Sequence, residues 1–323
     1  MNILETINYL EERKFSSRFV TKTMVIIMIK IKVPATSANL GPGFDSLGLA
    51  LRLYNYVWMK EADDISISTT DGSKVPQGED NLIFKTGKML YELCGRPFKG
   101  LSICQTNNIP MTRGLGSSSA CIVAGLLGAN ELMGMPLSKD DLLNLAAVLE
   151  GHPDNSTPAL LGGLVTAVLE DGRVYCAKVP ISGRLKFAAF IPDFELKTEV
   201  ARAALPREVS HKDAVFNLSR AALLTASLFS GRLDNLRVGV QDRLHQPYRL
   251  GFIPGAGDIF ALSERLGSYG TFISGAGPTL MALVNITDLS FRERAQAELD
   301  ERHPNWKLVI LDCDEDGACV ETG

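Results

Sequence analysis

The stretch Pro110-Met111-Thr112-Arg113-Gly114-Leu115-Gly116-Ser117-Ser118-Ser119-Ala120 constrains the fold more than any other part of the chain. Upstream, Leu101-Ser102-Ile103-Cys104 alternates apolar and polar residues, as a half-buried strand does. Downstream, residues 120–133 are small, apolar and free of proline, which predicts a helix packed closely through Gly125, Gly128 and its alanines. The order strand, Gly/Ser loop, helix brings the unpaired N–H groups and the positive dipole end of that helix to the loop, where they favour an anion. Gly114 and Gly116 are expected to omit a Cβ where the backbone must approach that anion. The three serine hydroxyls can bind phosphate oxygens or a magnesium ion. A serine N-cap after a glycine turn would account for two of these residues, but not for four Gly or Ser in succession. No Gly-Lys-Ser/Thr closes the loop as in a P-loop, and the glycine spacing of dinucleotide-binding folds is absent. The expectation is a phosphate loop of another kind.

An anion bound this way must be a small molecule. Net charge is −4 and pI about 5.7, which argues against nucleic acid or an anionic membrane as a main partner. No apolar run reaches the length of a membrane span. The 323 residues suffice for two ordinary cores, and 46% hydrophobic with 22% charged residues is the balance of a globular protein. Six scattered cysteines without metal spacing read as reduced thiols of a cytoplasmic protein. Residues 1–27 are expected to be a loose extension or to follow from an upstream start, with one domain over 28–182 and a second over 183–323.

Along the chain, Ile29, Ile31 and Val33 form a strand that Pro34 is expected to end. A loop dense in Gly, Pro and short polar residues comes next, residues 35–45, with Asn39 and Asp45 poorly shielded and free to face a ligand. Ser138-Lys139-Asp140-Asp141 fits a capping box, opening a helix that ends at Glu150-Gly151. A carboxylate in that last turn opposes the helix dipole and calls for a cation. His152, Asp154 and Asn155 make a polar run between two apolar helices. Asp171-Gly172 joins a hairpin, and residues 181–184 mark the expected domain boundary. In the second half, Thr198 is read as capping a short helix that holds Arg202. Ser210 opens a long amphipathic helix, and Arg249 follows, with Arg243 as a nearby competitor and His245 as a structural or surface residue. The small residues around Gly275 predict a strand, a glycine loop open to a ligand and another strand.

Taken together, these motifs resemble those of the GHMP kinases. Residues 110–120 resemble the second motif of that family and the loop around Gly275 the third. Residues 35–45 resemble the first motif in the version of the homoserine kinases, lacking the arginine that galactokinases carry there. The run from Glu150 to Asn155 also resembles the homoserine kinase pattern. The similarity extends from about Ile29 to the C-terminus. It implies an α+β protein with a ribosomal-S5-like N-terminal, ATP-binding domain and a ferredoxin-like C-terminal domain. The implied activity is ATP-dependent phosphorylation of the L-homoserine hydroxyl, a step of threonine biosynthesis. ATP would bind residues 110–120, and Mg2+ would sit on Ser118 and Glu150. Arg202 and Arg249 would take the substrate carboxylate and Asp45 its ammonium group. Asn39 and Asn155 would orient the hydroxyl, beside His152 and Gly275. The resemblance implies no dedicated base, Asp154 being the one candidate. The expected partners are a small-molecule substrate and at most a second copy of the chain. Another alcohol substrate, such as mevalonate or shikimate, and a catalytically silent ligand binder are the alternatives.

Overall fold

A computed structural model describes residues 28–181 and 183–322, so the expectations for residues 1–27 fall outside it. The fold is built on two sheets. The first begins with β1 (Ile29–Ala38), β2 (Leu47–Ala62) and β3 (Ser66–Thr69). After α1 (Leu82–Leu93) come β4 (Gly100–Thr106), α2 (Ser117–Leu132), α3 (Lys139–Glu150) and α4 (Ser156–Leu161), then the hairpin β5 (Leu164–Glu170) and β6 (Arg173–Val179). The second half runs β7 (Leu185–Pro192), α5 (Thr198–Ala203), α6 (His211–Ser230), α7 (Leu236–Gly239), α8 (Gln246–Arg249) and α9 (Ala256–Arg265). It closes with β8 (Gly270–Ile273), β9 (Leu280–Asn285), α10 (Phe291–Arg302), β10 (Trp306–Leu311) and β11 (Cys319–Thr322).

The seven-stranded sheet runs β11-β1-β2-β4-β3, with β5 and then β6 branching from the start of β2. Helices α1, α2 and α4 pack against it with a core that includes Ile31, Leu49, Met59, Ile103 and Val123. The four-stranded sheet, β10-β7-β9-β8, joins βαββαβ units in the order 4-1-3-2, a ferredoxin-like arrangement. Its second core includes Phe190, Ile259, Leu280 and Leu299. No helix among the described residues is long and apolar enough to cross a membrane.

Several expectations are corrected. Pro34 does not end β1; it pairs with Tyr54, and Ala35 then pairs with Leu51, so the strand passes through a bulge. A bulge leaves the missing proline N–H without consequence. Residues 181 and 183–184 do lie between the two sheets, but β11 returns to the first sheet and pairs with β1 over Ile29–Lys32. The tail of the expected second domain therefore completes the first layer. Thr198 is the first residue of α5 rather than its cap; Lys197 holds the cap position and makes no side-chain capping bond.

Candidate functional site

Three loops meet where the sheets adjoin. The first leaves the end of β1. Asn39, Leu40 and Asp45 have positive φ (68°, 47° and 54°), strain that a loop keeps when its surroundings fix it. Asn39 supplies much of that fixing: its amide nitrogen donates to the Gly275 carbonyl at 2.9 Å, and its amide oxygen accepts from the Asp45 N–H at 3.0 Å. Its buried side chain thus ties the first loop to the third.

The second loop is the expected phosphate loop. Gly116, left-handed at φ 72°, holds the N-cap position of α2, and no side chain caps the helix. Its first N–H groups thus await a partner, as an anion site requires. Besides the expected approach of an anion, the two glycines meet a packing need. A Cβ on Gly114 would fall 2.3 Å from the Ser274 carbonyl oxygen, and one on Gly116 1.9 Å from Thr36 Oγ1. They are required by the neighbouring loops and by their left-handed φ. Arg113 is likewise spent inside the protein: its Nε and Nη2 donate to the Pro192 and Asp193 carbonyls at 3.1 and 2.6 Å, which ties the loop to the end of β7. Leu115 and Ala120 point into the core. Ser274 locks the loops together, its hydroxyl contacting Ser37 Oγ at 2.8 Å and the Gly114 carbonyl at 2.6 Å.

Glu150 ends α3 before the left-handed Gly151. The hydroxyl that donates to its carboxylate is that of Ser119, whereas Ser118, the serine expected to share magnesium with Glu150, is exposed at the loop mouth. Glu150 Oε2 is buried and has no partner among the described residues, and the same is true of Ser156 Oγ and Thr157 Oγ1. Burial lifts the Glu150 carboxyl to about 7, against the pull of His152 and of the Ser119 hydrogen bond. An orphaned carboxylate oxygen beside serine hydroxyls is a hard-oxygen donor set of the kind magnesium takes.

Beyond Glu150, His152 Nδ1 donates to Asp154 Oδ1 at 2.6 Å. Burial disfavours the imidazolium, but the Asp154 contact, with Glu150 and Asp45 nearby, outweighs it and brings His152 to about 9. The reactive atoms of Asp45, His152 and Asp154 lie within 4.8 Å of one another. Asp45 is already engaged: Arg202 forks onto it with Nη1 and Nη2 at 2.9 and 2.8 Å. Asn155 accepts from Thr36 Oγ1 at 2.8 Å.

Arg249 is 1% exposed. Its Nη1 donates to the Gly275 carbonyl at 3.1 Å and its Nε to the Ala201 carbonyl at 3.3 Å. Burial, and then the like charge of Arg202, push its guanidinium down to about 10. The two guanidinium carbons stand 5.4 Å (Arg202) and 5.3 Å (Arg249) from the centre of the Phe44 ring, a platform that sequence reasoning missed. The competitor Arg243 instead pairs with Asp213 at 3.1 Å and lies over Phe216. His245, read as structural or surface, is fully buried against Arg249. The structure thus brings together Asn39, Asp45, His152, Asp154, Asn155, Arg202, Arg249 and Gly275, and sets the α2 N-terminus and Glu150 beside them.

Comparison with known proteins shows the family. Residues 81–163 match the GHMP kinases N-terminal domain and residues 222–305 the GHMP kinases C-terminal domain. The chain is 49% identical to homoserine kinase of Caldicellulosiruptor saccharolyticus over 91% of its own length and 96% of the relative's. A crystal structure of homoserine kinase from Cytophaga hutchinsonii superposes with a TM-score of 0.83 at 28% identity, covering 94% of this chain and all of that one. A putative homoserine kinase from Listeria monocytogenes gives a TM-score of 0.77 at 34% identity, over 91% and 99% of the two chains. The chain belongs to the GHMP kinases and, within them, to the homoserine kinase family.

Proposed function

We propose that this protein transfers the γ-phosphoryl group of ATP to the side-chain hydroxyl of L-homoserine, giving O-phospho-L-homoserine. The observation that carries this reading is the forked Arg202–Asp45 pair beside the buried Arg249. An amino acid zwitterion can replace that pair charge for charge. Its carboxylate takes Arg202 and Arg249, which offer planar, bidentate donors, and its ammonium group takes Asp45. Substrates that are anions only, such as mevalonate or shikimate, would break the pair and leave Asp45 no cation but the nearby His152, which is already bonded to Asp154.

The triphosphate lies at the uncapped start of α2, held by backbone N–H groups. Glu150, to which Ser119 donates, and Ser118 at the start of α2 would hold a magnesium ion, which supplies charge neutralisation to the phosphates. Asn155 and Asn39 orient the acceptor hydroxyl, which attacks γ-phosphorus as the bond to the bridging oxygen of ADP breaks. On this reading no side chain among the described residues of the site takes the proton. With its pKa at about 9, His152 is already protonated near neutrality, and Asp154 is committed to it. A loose transition state needs little help from a base, so the proton can leave with the phosphoryl oxygens and solvent. Six unpaired cysteines suit a reducing, cytoplasmic setting. We also place the boundary between the ATP-binding and C-terminal units near residues 181–184.

The test is ADP release with Mg-ATP against L-homoserine, mevalonate, shikimate, galactose and L-threonine. Turnover dependent on L-homoserine is expected; activity on mevalonate or shikimate instead would overturn the roles of Asp45, Arg202 and Arg249. ATP binding without turnover on any of them would indicate a silent ligand binder.

A further inference from the structure

His245 is a histidine with one permitted tautomer. Its Nε2 lies 2.7 Å from the Gly41 carbonyl, which can only accept, so Nε2 carries the hydrogen. Its Nδ1 lies 3.2 Å from Arg249 Nη1, which can only donate, so Nδ1 offers a lone pair. The ring is therefore neutral: burial, with the Arg249 charge, pushes its pKa down against the pull of Asp242, whose Oδ2 lies 3.7 Å from Nε2. Packing fixes the ring as well, since the Phe44 ring centroid is 5.4 Å away.

The partners of Arg249 are then all neutral: the carbonyls of Ala201 and Gly275 and the imidazole of His245. Among the described residues no carboxylate forms an ion pair with it. The nearby ones are occupied elsewhere. Asp45 is held by Arg202, Asp154 by His152, and Asp242 by Asn217 and the N–H groups of residues 244–246. A guanidinium that is 1% exposed would normally be expected to find a counter-ion.

We propose that His245 is a positioning residue for the acceptor substrate: it orients Arg249 by a neutral acceptor, so that the buried guanidinium has no direct ion-pair partner until a substrate carboxylate arrives. The charges of Asp45, Asp242 and Asp154 reach it only through space. The inference rests on the reading of Arg249 as a carboxylate ligand. A carboxylate at position 245 would orient the guanidinium equally well but would also neutralise it. Position 245 thereby selects for anionic substrates without touching them.

Asn and Asp place an oxygen where Nδ1 now sits, have nearly the same shape, and both lose the bond to Gly41. They differ in charge. For the purified full chain, His245→Asn should raise KM for L-homoserine by less than about tenfold, with KM for ATP unchanged. His245→Asp should raise KM for L-homoserine about thirtyfold or more beyond the Asn variant, with kcat and KM for ATP near those of His245→Asn. Charged hydrogen-bonded partners commonly act on that scale. Equal losses in the two variants, or a parallel rise in KM for ATP, would mean that His245 only supports packing and would overturn the proposal. If His245→Asp fails to melt cooperatively, His245→Leu replaces it. Leu removes the acceptor, so KM for L-homoserine should exceed that of His245→Asn at least about fivefold, and equal values would refute the idea. Failure of the substrate reading itself is separable, because the wild-type enzyme would then show no turnover of L-homoserine.

Discussion

Replacing Asp45 with Asn asks whether the site selects a zwitterion. The wild-type Arg202–Asp45 pair is bidentate, yet the two side chains are 42% and 33% exposed. A pair in that setting is worth only ~0–1 kcal/mol, so substrate can displace it at small cost. The consequence of displacement depends on the substrate. L-Homoserine gives Asp45 an ammonium group in return. 4-Hydroxybutanoate, which has the carboxylate and hydroxyl alone, leaves Asp45 without a charged hydrogen bond of its own, because the nearby His152 is bonded to Asp154, at a cost of about 1.5–3 kcal/mol. In Asp45→Asn that difference disappears. The ratio of kcat/KM for L-homoserine to that for 4-hydroxybutanoate should therefore fall about 10- to 150-fold, mostly through KM for L-homoserine. A coupled ADP-release assay at fixed saturating Mg-ATP measures both constants. If the two substrates lose kcat/KM by the same factor, Asp45 acts on something other than the ammonium group, and the charge-exchange account is wrong.

The same geometry predicts further outcomes. Glu150→Gln should cost about a hundredfold or more in kcat, measured as ADP release at saturating magnesium, because the orphaned carboxylate oxygen is lost. Asp154→Asn should retain activity within about tenfold; a folded, ATP-binding but inactive Asp154→Asn would end the account without a base. The ligand-free protein should lose stability as pH rises. Both Glu150, lifted from 4.5 to about 7, and His152, lifted from 6.5 to about 9, bind a proton more tightly folded than unfolded. Their contributions are complete below the unfolded values and vanish as pH passes the folded ones. Thermal melts from about pH 4.5 to 9 should show Glu150→Gln flattening the lower part of that fall and His152→Gln the upper part; unchanged slopes would contradict the assignment. Gly116→Ala should destabilise the fold by about 2–4 kcal/mol in urea unfolding, from its φ of 72° and a Cβ 1.9 Å from Thr36 Oγ1. A neutral result would show that the loop can move away from Thr36.

Much of this was legible in the sequence because it is local. Ser138 and Asp141 form the expected capping box, Ser210 caps α6 as read, and Asp171-Gly172 turns the β5–β6 hairpin. What escaped depends on residues far apart in the chain. The C-terminal strand is four residues long, and its partner is β1, so nothing near residues 319–322 announces it. Pro34 reads as a terminator until the bulge opposite it is known. That a Cβ on Gly114 or Gly116 would also meet Ser274 or Thr36 depends on loops far away in the chain. His245 carries no motif; only the approach of Gly41 on one side and Arg249 on the other gives it a role. The hydrogen bond from Ser119 to Glu150 was likewise not foreseen, because spacing alone does not say which hydroxyl at a helix start turns toward a distant carboxylate.

The ties among the three loops differ in kind from the pairs that await substrate. The Thr36 N–H donates to the Leu115 carbonyl, Gly275 N–H to Ala38, Thr279 N–H to Arg113, and Ser274 bonds both Ser37 and Gly114. These are mostly buried and link both sheets, so opening one loop would strand polar groups in all three. On the proposed reading, the phosphoryl-donor side is thus fixed in advance of ATP binding, as transfer by positioning demands. The acceptor side is built from exchangeable charges. Arg202 sits on a helix of six residues and holds Asp45 in a half-exposed pair. Two of the three positively charged groups around the proposed acceptor position are therefore already paired, Arg202 with Asp45 and His152 with Asp154. Arg249 alone is charged, buried and met only by neutral groups. The free energy of carboxylate binding should then be concentrated at Arg249, with Arg202 and Asp45 deciding between zwitterion and plain anion.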